Sequence, residues 1–373
     1  MSAEFFLRLA QGPLNLSWQS LVMLGIAALL FYLAMVRGYE PLLLLPIGAG
    51  AMLANLPRSP MLGEEGLLTV LYRAGIENEV FPLLIFIGVG ALTDFGPLLE
   101  NPRVVLLGAA GQFGIFATLM LALVLGFTPN EAASIGIIGA IDGPTSIYVS
   151  SLLAPHLLGP ITVAAYSYMA LVPLIMPPVI RLLTSRRERM IRMPYSQRAI
   201  SKRTRIIFPI VVTIVVGTLV PFAIPLVGSL MLGNLMRESG VVERLTGAAA
   251  NELTNIVTLF LGLAIGSTMV GAEFLRLTTL MILVLGILAF AVDTAAGLLF
   301  GKLLSLLSRR QINPIIGAAG ISAFPMAARV VQRVATEEDF ENFLLFHAMG
   351  ANAAGQIASV VAGGVLLALM GGG

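Results

Sequence analysis

Residues Gly139 to Ser151 read GAIDGPTSIYVSS, and Asp142 within them decides how the surrounding chain can fold. An aspartate sits here in a run of apolar and small residues, followed at once by Gly143 and Pro144. Proline removes a backbone donor and disfavours helix at the residue before it, while glycine permits an irregular turn. The stretch therefore predicts a helix that breaks at Asp142. A carboxylate at the centre of a membrane segment costs about 2.5 kcal/mol or more, so it pairs, lines a cavity or binds a cation. The simpler alternative is that Asp142 caps the half-helix after the break, with Thr145 or Ser146 assisting.

Composition supplies the membrane. The 373 residues are 57% hydrophobic and 11% charged, with a mean hydropathy of +0.94, outside the range of soluble domains. Apolar segments fall near 18–37, 41–57, 81–98, 103–127, 131–155, 158–182, 206–222, 224–236, 254–272, 276–306, 313–331 and 343–369, and several are too short to cross a bilayer straight. The expected fold is an all-α polytopic membrane protein of about 10–12 segments, two of them broken or re-entrant. No polar stretch is long enough for a soluble catalytic domain. The absence of cysteine excludes disulfides, thiolate nucleophiles and Cys-ligated metals. No phosphate-binding loop, zinc site or serine triad occurs, and nothing predicts a nucleic-acid partner. Residues 1–17 lack the pattern of a secretory signal and predict an interfacial amphipathic helix.

Nine of the 22 basic residues lie between Arg181 and Arg205 against the single acid Glu188, which marks that loop as cytoplasmic. The simplest reading of this charge is a topology signal; binding of anionic lipid or a partner is the alternative. It separates two related halves. PIGAGAMLANL from Pro46 matches PLVGSLMLGNL from Pro225, an offset of 179. IIGAIDGPTS from Ile137 matches IIGAAGISAF from Ile315, an offset of 178, and FIGVGALTDFG near Phe86 loosely matches FLGLAIGSTMVG near Phe260. The loop before the first break carries one acid and no base, whereas the loop before the second carries Arg309 and Arg310. The halves are thus expected in opposite orientation, as a repeat at 18–182, a basic loop at 183–205 and an inverted repeat at 206–373. Inverted repeats place substrate and ion sites near the midplane, where broken helices meet. The same charge count requires one of the segments between Asn130 and Arg181 to turn back, and the one holding Asp142 is the better candidate.

Other residues could carry chemistry. Asp94 lies near a segment end and reads equally as a cap; Asp293 is deeper and suits either a site or a buried hydrogen bond between helices. Asn313, Ser322, Asn352, Gln356 and Ser359 supply neutral oxygen donors, the kind a hard cation such as Na+ takes beside a carboxylate. Dense small residues around Asn352 read first as close helix packing. Arg329 and Arg333 have the reach to hold a carboxylate, or snorkel to the surface. Tyr166 and Tyr168 lie inside a span.

FIGVGALTDFGPLLENP, GAIDGPTSIYVSS, NPIIGAAGISAFPMAARVVQ and HAMGANAAGQIAS resemble the beta subunits of the biotin-dependent, sodium-pumping decarboxylases acting on oxaloacetate, glutaconyl-CoA, methylmalonyl-CoA and malonate. The resemblance runs from about residue 20 to the C-terminus. It implies an inner-membrane translocase subunit that decarboxylates carboxybiotin, consumes a proton and exports Na+. A soluble carboxyltransferase subunit and a biotin carrier domain would be its partners, with a small gamma-type subunit and a homo-oligomeric assembly also expected. Carried over by motif, the ion-handling residues fall on Asp142, Tyr168, Asn313, Gly317, Ser322, Arg329 and Asn352. The resulting expectation makes Asp142, Asn313, Ser322 and Asn352 Na+ ligands, with Gly317 shaping the site. Tyr168 would lie nearby as a proton-linked or ligand hydroxyl, and Arg329 would steady the carboxyl group of carboxybiotin. Ala351 departs from the proline found in many members. A Na+-coupled carboxylate transporter without a catalytic partner is the alternative. In either case the first helices of each repeat would form a scaffold and the broken segments a moving, elevator-like core.

Overall fold

The computed structural model describes residues 16–194, 200–308 and 312–371, which are helical with no strand. The helix expected at 1–17 falls almost wholly outside the described residues, as do Arg309 and Arg310. Helices of eight residues or more run as α1 (Trp18–Met35), α2 (Pro41–Asn55), α3 (Val80–Leu92), α4 (Phe113–Val124), α5 (Pro129–Gly136), α6 (Gly143–Leu153) and α7 (Leu158–Leu183). The second half follows with α8 (Lys202–Leu219), α9 (Ile224–Ser239), α10 (Thr254–Thr268), α11 (Leu277–Leu307), α12 (Met326–Glu338) and α13 (Leu345–Met370). Their starts follow local chemistry. The hydroxyls of Ser17 and Ser201 cap α1 and α8, and Thr128 with Glu131 forms a capping box at α5.

Five helical stretches among the described residues are long and apolar enough to cross a membrane, or up to seven if two bent pairs each count as one span. The predicted segments thus resolve into a few full spans and several shorter pieces. Ion pairs gather at the face that the positive-inside rule assigns to the cytoplasm. Arg181, Arg189 and Arg192 of the basic loop bond Glu337 (2.6 Å), Glu338 (2.8 Å) and Asp339 (2.7 Å) at the end of α12. Lys302 near the end of α11 reaches Glu188 at 3.2 Å. At the opposite face, His156 before α7 bonds Glu131 in α5 at 2.9 Å.

Each broken segment is a hairpin. The first enters from outside as α5, unwinds through a 3-10 turn at Ile137–Ala140, and returns outward as α6. Ile141, between turn and helix, has φ +52°, a left-handed conformation rare for a β-branched residue. The second enters from the cytoplasm as a 3-10 turn at Pro314–Ala319 and returns as α12. Their tips are joined by a backbone bond from Ser322 N–H to Ala140 C=O, 3.1 Å. The inverted repeat read from the sequence is therefore present, and its breaks meet.

The other helices repeat the symmetry. α2 packs on α10 of the second half, while its counterpart α9 packs on α3 of the first. Asn55 at the end of α2 donates to Met269 O, just past α10, at 2.7 Å; Asn234, its repeat mate in α9, donates to Thr93 O, just past α3, at 3.0 Å. Both crossings need glycine, because a Cβ on Gly266 would lie 2.3 Å from Ile47 O and one on Gly233 would lie 1.9 Å from Ile87 O.

Candidate functional site

Asp142 stands where the hairpin tips meet, and it does two things at once. As N-cap of α6 its Oδ1 accepts from Thr145 N–H at 3.2 Å. Its Oδ2 accepts from Ser322 Oγ of the second hairpin at 3.0 Å and from Ser359 Oγ of α13 at 2.8 Å. Ser359 Oγ also lies 3.1 Å from Ser322 Oγ and 2.9 Å from Gln356 O. Two hydroxyl protons cannot satisfy every one of these oxygen–oxygen contacts. The group is all oxygen, with a single carboxylate, and no three His, Asp or Glu side chains converge among the described residues. Such a donor set suits a hard monovalent cation better than a transition metal.

Asp142 and Ser322 open onto a cavity of about 220 Å³ whose walls come from two sides. One wall is α2, α3 and α10, the early helices of each repeat; the other is both hairpin tips with Tyr166, Met169 and Gln356. The site thus lies at the boundary between the expected scaffold and core.

The remaining expected residues are distributed around this centre. Asn352 is fully buried and donates to Ile321 O at 2.6 Å, with its own Oδ1 unpartnered among the described residues. Gln112 holds the preceding carbonyl, Gly320 O, at 3.2 Å. Gly317 lies against α11, where a Cβ would come within 2.0 Å of Gly297 O. Asn313 does not join the Asp142 group. Its amide donates to Arg189 O (2.9 Å) and Ile191 O (2.8 Å), carbonyls that Asn342 also binds, and its Oδ1 accepts from Ile315 N–H. Tyr168 donates to Leu283 O of α11 and packs its ring on Gly286. The tyrosine in the cavity is Tyr166, whose ring covers Gly143. Asp293 receives Gly114 N–H at the start of α4, the buried bond between helices that was one of its two readings. Arg329 and Arg333 are exposed on one face of α12, and neither forms an ion pair among the described residues.

Ser359 was visible in the sequence only as one of several neutral donors. A signal existed in the spacing: Asn352, Gln356 and Ser359 recur at three and four residues, one helical face.

Residues 19–370 match the family described as Na+-transporting oxaloacetate decarboxylase beta subunit. The chain belongs to this family. It is 52% identical to the glutaconyl-CoA decarboxylase subunit beta of Acidaminococcus fermentans over 361 residues, covering 97% of this chain and 96% of the relative. It is 54% identical to the methylmalonyl-CoA decarboxylase subunit beta of Veillonella parvula over 349 residues, 94% of this chain and 92% of the relative. It is 48% identical to the oxaloacetate decarboxylase beta chain of Klebsiella pneumoniae, over 95% of this chain and 96% of the relative. As a β subunit, the chain is the bacterial inner-membrane component of a biotin-dependent, Na+-coupled decarboxylase complex.

Proposed function

We propose that this β subunit itself releases carbon dioxide from carboxybiotin and uses the reaction to export Na+ through the Asp142 site. The observation that carries this reading is the junction of Asp142 Oδ2 with Ser322 and Ser359, where hairpins entering from opposite faces meet. A cation there can be reached from one face or the other according to how the core sits against the scaffold. Within that site Asp142, Ser322 and Ser359 act as direct ligands. Asn352 aligns the Ile321 carbonyl beside them, and Gly317 lets the second hairpin approach α11. Asn313 anchors that hairpin to the cytoplasmic loop, a positioning role in place of the ligand role expected for it. Tyr168 couples α7 to α11 beside the first hairpin.

Biotin, presented by a carrier domain of the complex, supplies the carboxyl chemistry. Arg329 and Arg333 fit its carboxylate: they lie four residues apart on the exposed face of α12, without acidic partners among the described residues, on the helix that ends toward the basic loop. Loss of carbon dioxide requires a proton. Coupling follows if Na+-loaded and proton-loaded cores favour different positions, since a ligand shifts an equilibrium only by its differential affinity. Each of the two repeats, 18–182 and 206–373, joined by the loop at 183–205, gives its early helices to the scaffold and its hairpin to the core that moves against it. Partners are a soluble carboxyltransferase subunit, the carrier domain and a small gamma-type subunit, in a homo-oligomeric membrane complex. The acid that is decarboxylated meets the carboxyltransferase and not this chain.

The test uses the complex isolated through this subunit. It should bring down a biotinylated carrier, and membranes containing it should release carbon dioxide from carboxybiotin in a Na+-dependent way. Failure of both, with Na+-driven carboxylate uptake instead, would favour the transporter alternative.

A further inference from the structure

We infer that Glu40 is a second cation-binding position, a relay on the cytoplasmic side of the cavity through which Na+ reaches Asp142. The inference rests on the reading of Asp142 as the Na+ ligand and extends it to the route of access.

Glu40 occupies the N-cap of α2, yet its side chain makes no capping bond there. Helix starts favour a short side chain that accepts from the second or third helical amide, and Glu40 instead lines the same cavity as Asp142. Its backbone is left-handed, φ +37° and ψ +58°, which is uncommon outside glycine and asparagine. It forms no ion pair or side-chain hydrogen bond among the described residues. Of the residues lining the cavity only Glu40 and Asp142 carry charge, and both are acids; no lysine, arginine or histidine faces it. A half-buried acid without a counter-charge, in a cavity with otherwise apolar and neutral walls, concentrates cations from the adjoining water.

The position of Glu40 gives direction. Arg205, at the basic-loop end of α8, lies 3.9 Å from Asp94 past α3 and 3.8 Å from Glu238 in α9, so both of those C-terminal ends face the cytoplasm. The equivalent ends of α2 and α10 face outward: Gly159 at the outer start of α7 lies against Thr268, and Asn55 bonds Met269 O. The N-terminus of α2, and Glu40 with it, therefore lies toward the cytoplasm. An exporter must draw Na+ from that side, where the ion is dilute, and a fixed negative charge on the route raises its local concentration.

The experiment measures the Na+ concentration giving half-maximal decarboxylation by the reconstituted complex at low ionic strength. Glu40→Gln should raise it roughly three- to tenfold, the ordinary size of one screened charge–charge attraction. Glu40→Asn, whose side chain suits the left-handed backbone, should do the same, and the difference from wild type should narrow as a large organic cation raises ionic strength. Glu64→Gln, an exposed acid outside the cavity, serves as the control and should leave the value where it was. Wild-type half-saturation in both Glu40 variants overturns the relay. Equilibrium 22Na+ binding separates this from failure of the underlying reading: Asp142→Asn should abolish binding, and if it does not, the Asp142 assignment falls whatever Glu40 does.

Discussion

At the scale of single residues, the centre is an aspartate held by two hydroxyls from elements 180 and 217 residues away in sequence. Ser322→Ala and Ser359→Ala should each remove one oxygen from the same carboxylate. Hydrogen bonds to a charged group are worth about 1.5–3 kcal/mol, so each variant should raise the half-saturating Na+ concentration about 10- to 100-fold. The two serines should prove equivalent within that range; a normal Na+ dependence in Ser359→Ala would remove it from the site. Asp142 and Ser322 could be read from the sequence because a charge in an apolar run and a break recurring at a fixed offset are local patterns. Ser359 could not be selected, because a serine on a small-residue face is ordinary packing until something charged faces it. Asn313 illustrates the reverse. Its amide looks like a donor to a cation, but the partners that claim it, Arg189 O and Ile191 O, belong to a loop whose path no local pattern reveals.

At the scale of elements, α12 is held at its C-terminal end by a clamp of arginines on acids. Glu337, Glu338 and Asp339 are unfavourable at a helix C-terminus, where the dipole is negative, and the basic loop offsets them. The loop that reads as a topology signal is thus also the strap on the second hairpin. The hydrogen bond from Arg192 holds the Asp339 carboxyl below the usual aspartate range, with desolvation acting the other way. A depressed folded value means the clamp's contribution is complete above the ordinary aspartate value and is lost as pH falls through the folded one. Protection of the amides of residues 186–192, corrected for the intrinsic exchange rate at each pH, should therefore fall on acidification below about pH 4, and Arg192→Ala should lessen that dependence, with Glu188 and Glu338 supplying the rest. Farther out, the paired asparagines were legible as a repeat before their purpose was. Asn55 bonds Ala51 O, Met269 O and Gly271 N–H, whereas Asn234 bonds Thr93 O with its Oδ1 unpartnered among the described residues. Thermal unfolding should show Asn55→Ala costing about 1–3 kcal/mol and Asn234→Ala less. Equal losses would mean that the two repeats do not use their asparagines as described.

At the scale of the whole molecule, the two halves exchange partners. α2 with α10 and α9 with α3 form crossings that only glycine allows, and the hairpins with α7 and α13 form the second body. The cavity with Asp142 runs between these bodies, and in the proposed cycle displacement of one against the other would change which face the site can see. This architecture was legible because inversion leaves a trace in charge, through the positive-inside rule, and in motif spacing. The number of full spans was less so, since hydropathy does not distinguish a short crossing helix from half a hairpin. In the proposed cycle one carboxylate, at the junction of two opposed hairpins, couples the chemistry to the ion. This coupling is tested most directly by reconstituting the complex with Asp142→Asn, a change that keeps shape and removes charge, and following carbon dioxide release and 22Na+ uptake together. Both should fall to background; decarboxylation that continues with wild-type dependence on Na+ would mean that Asp142 does not couple the two.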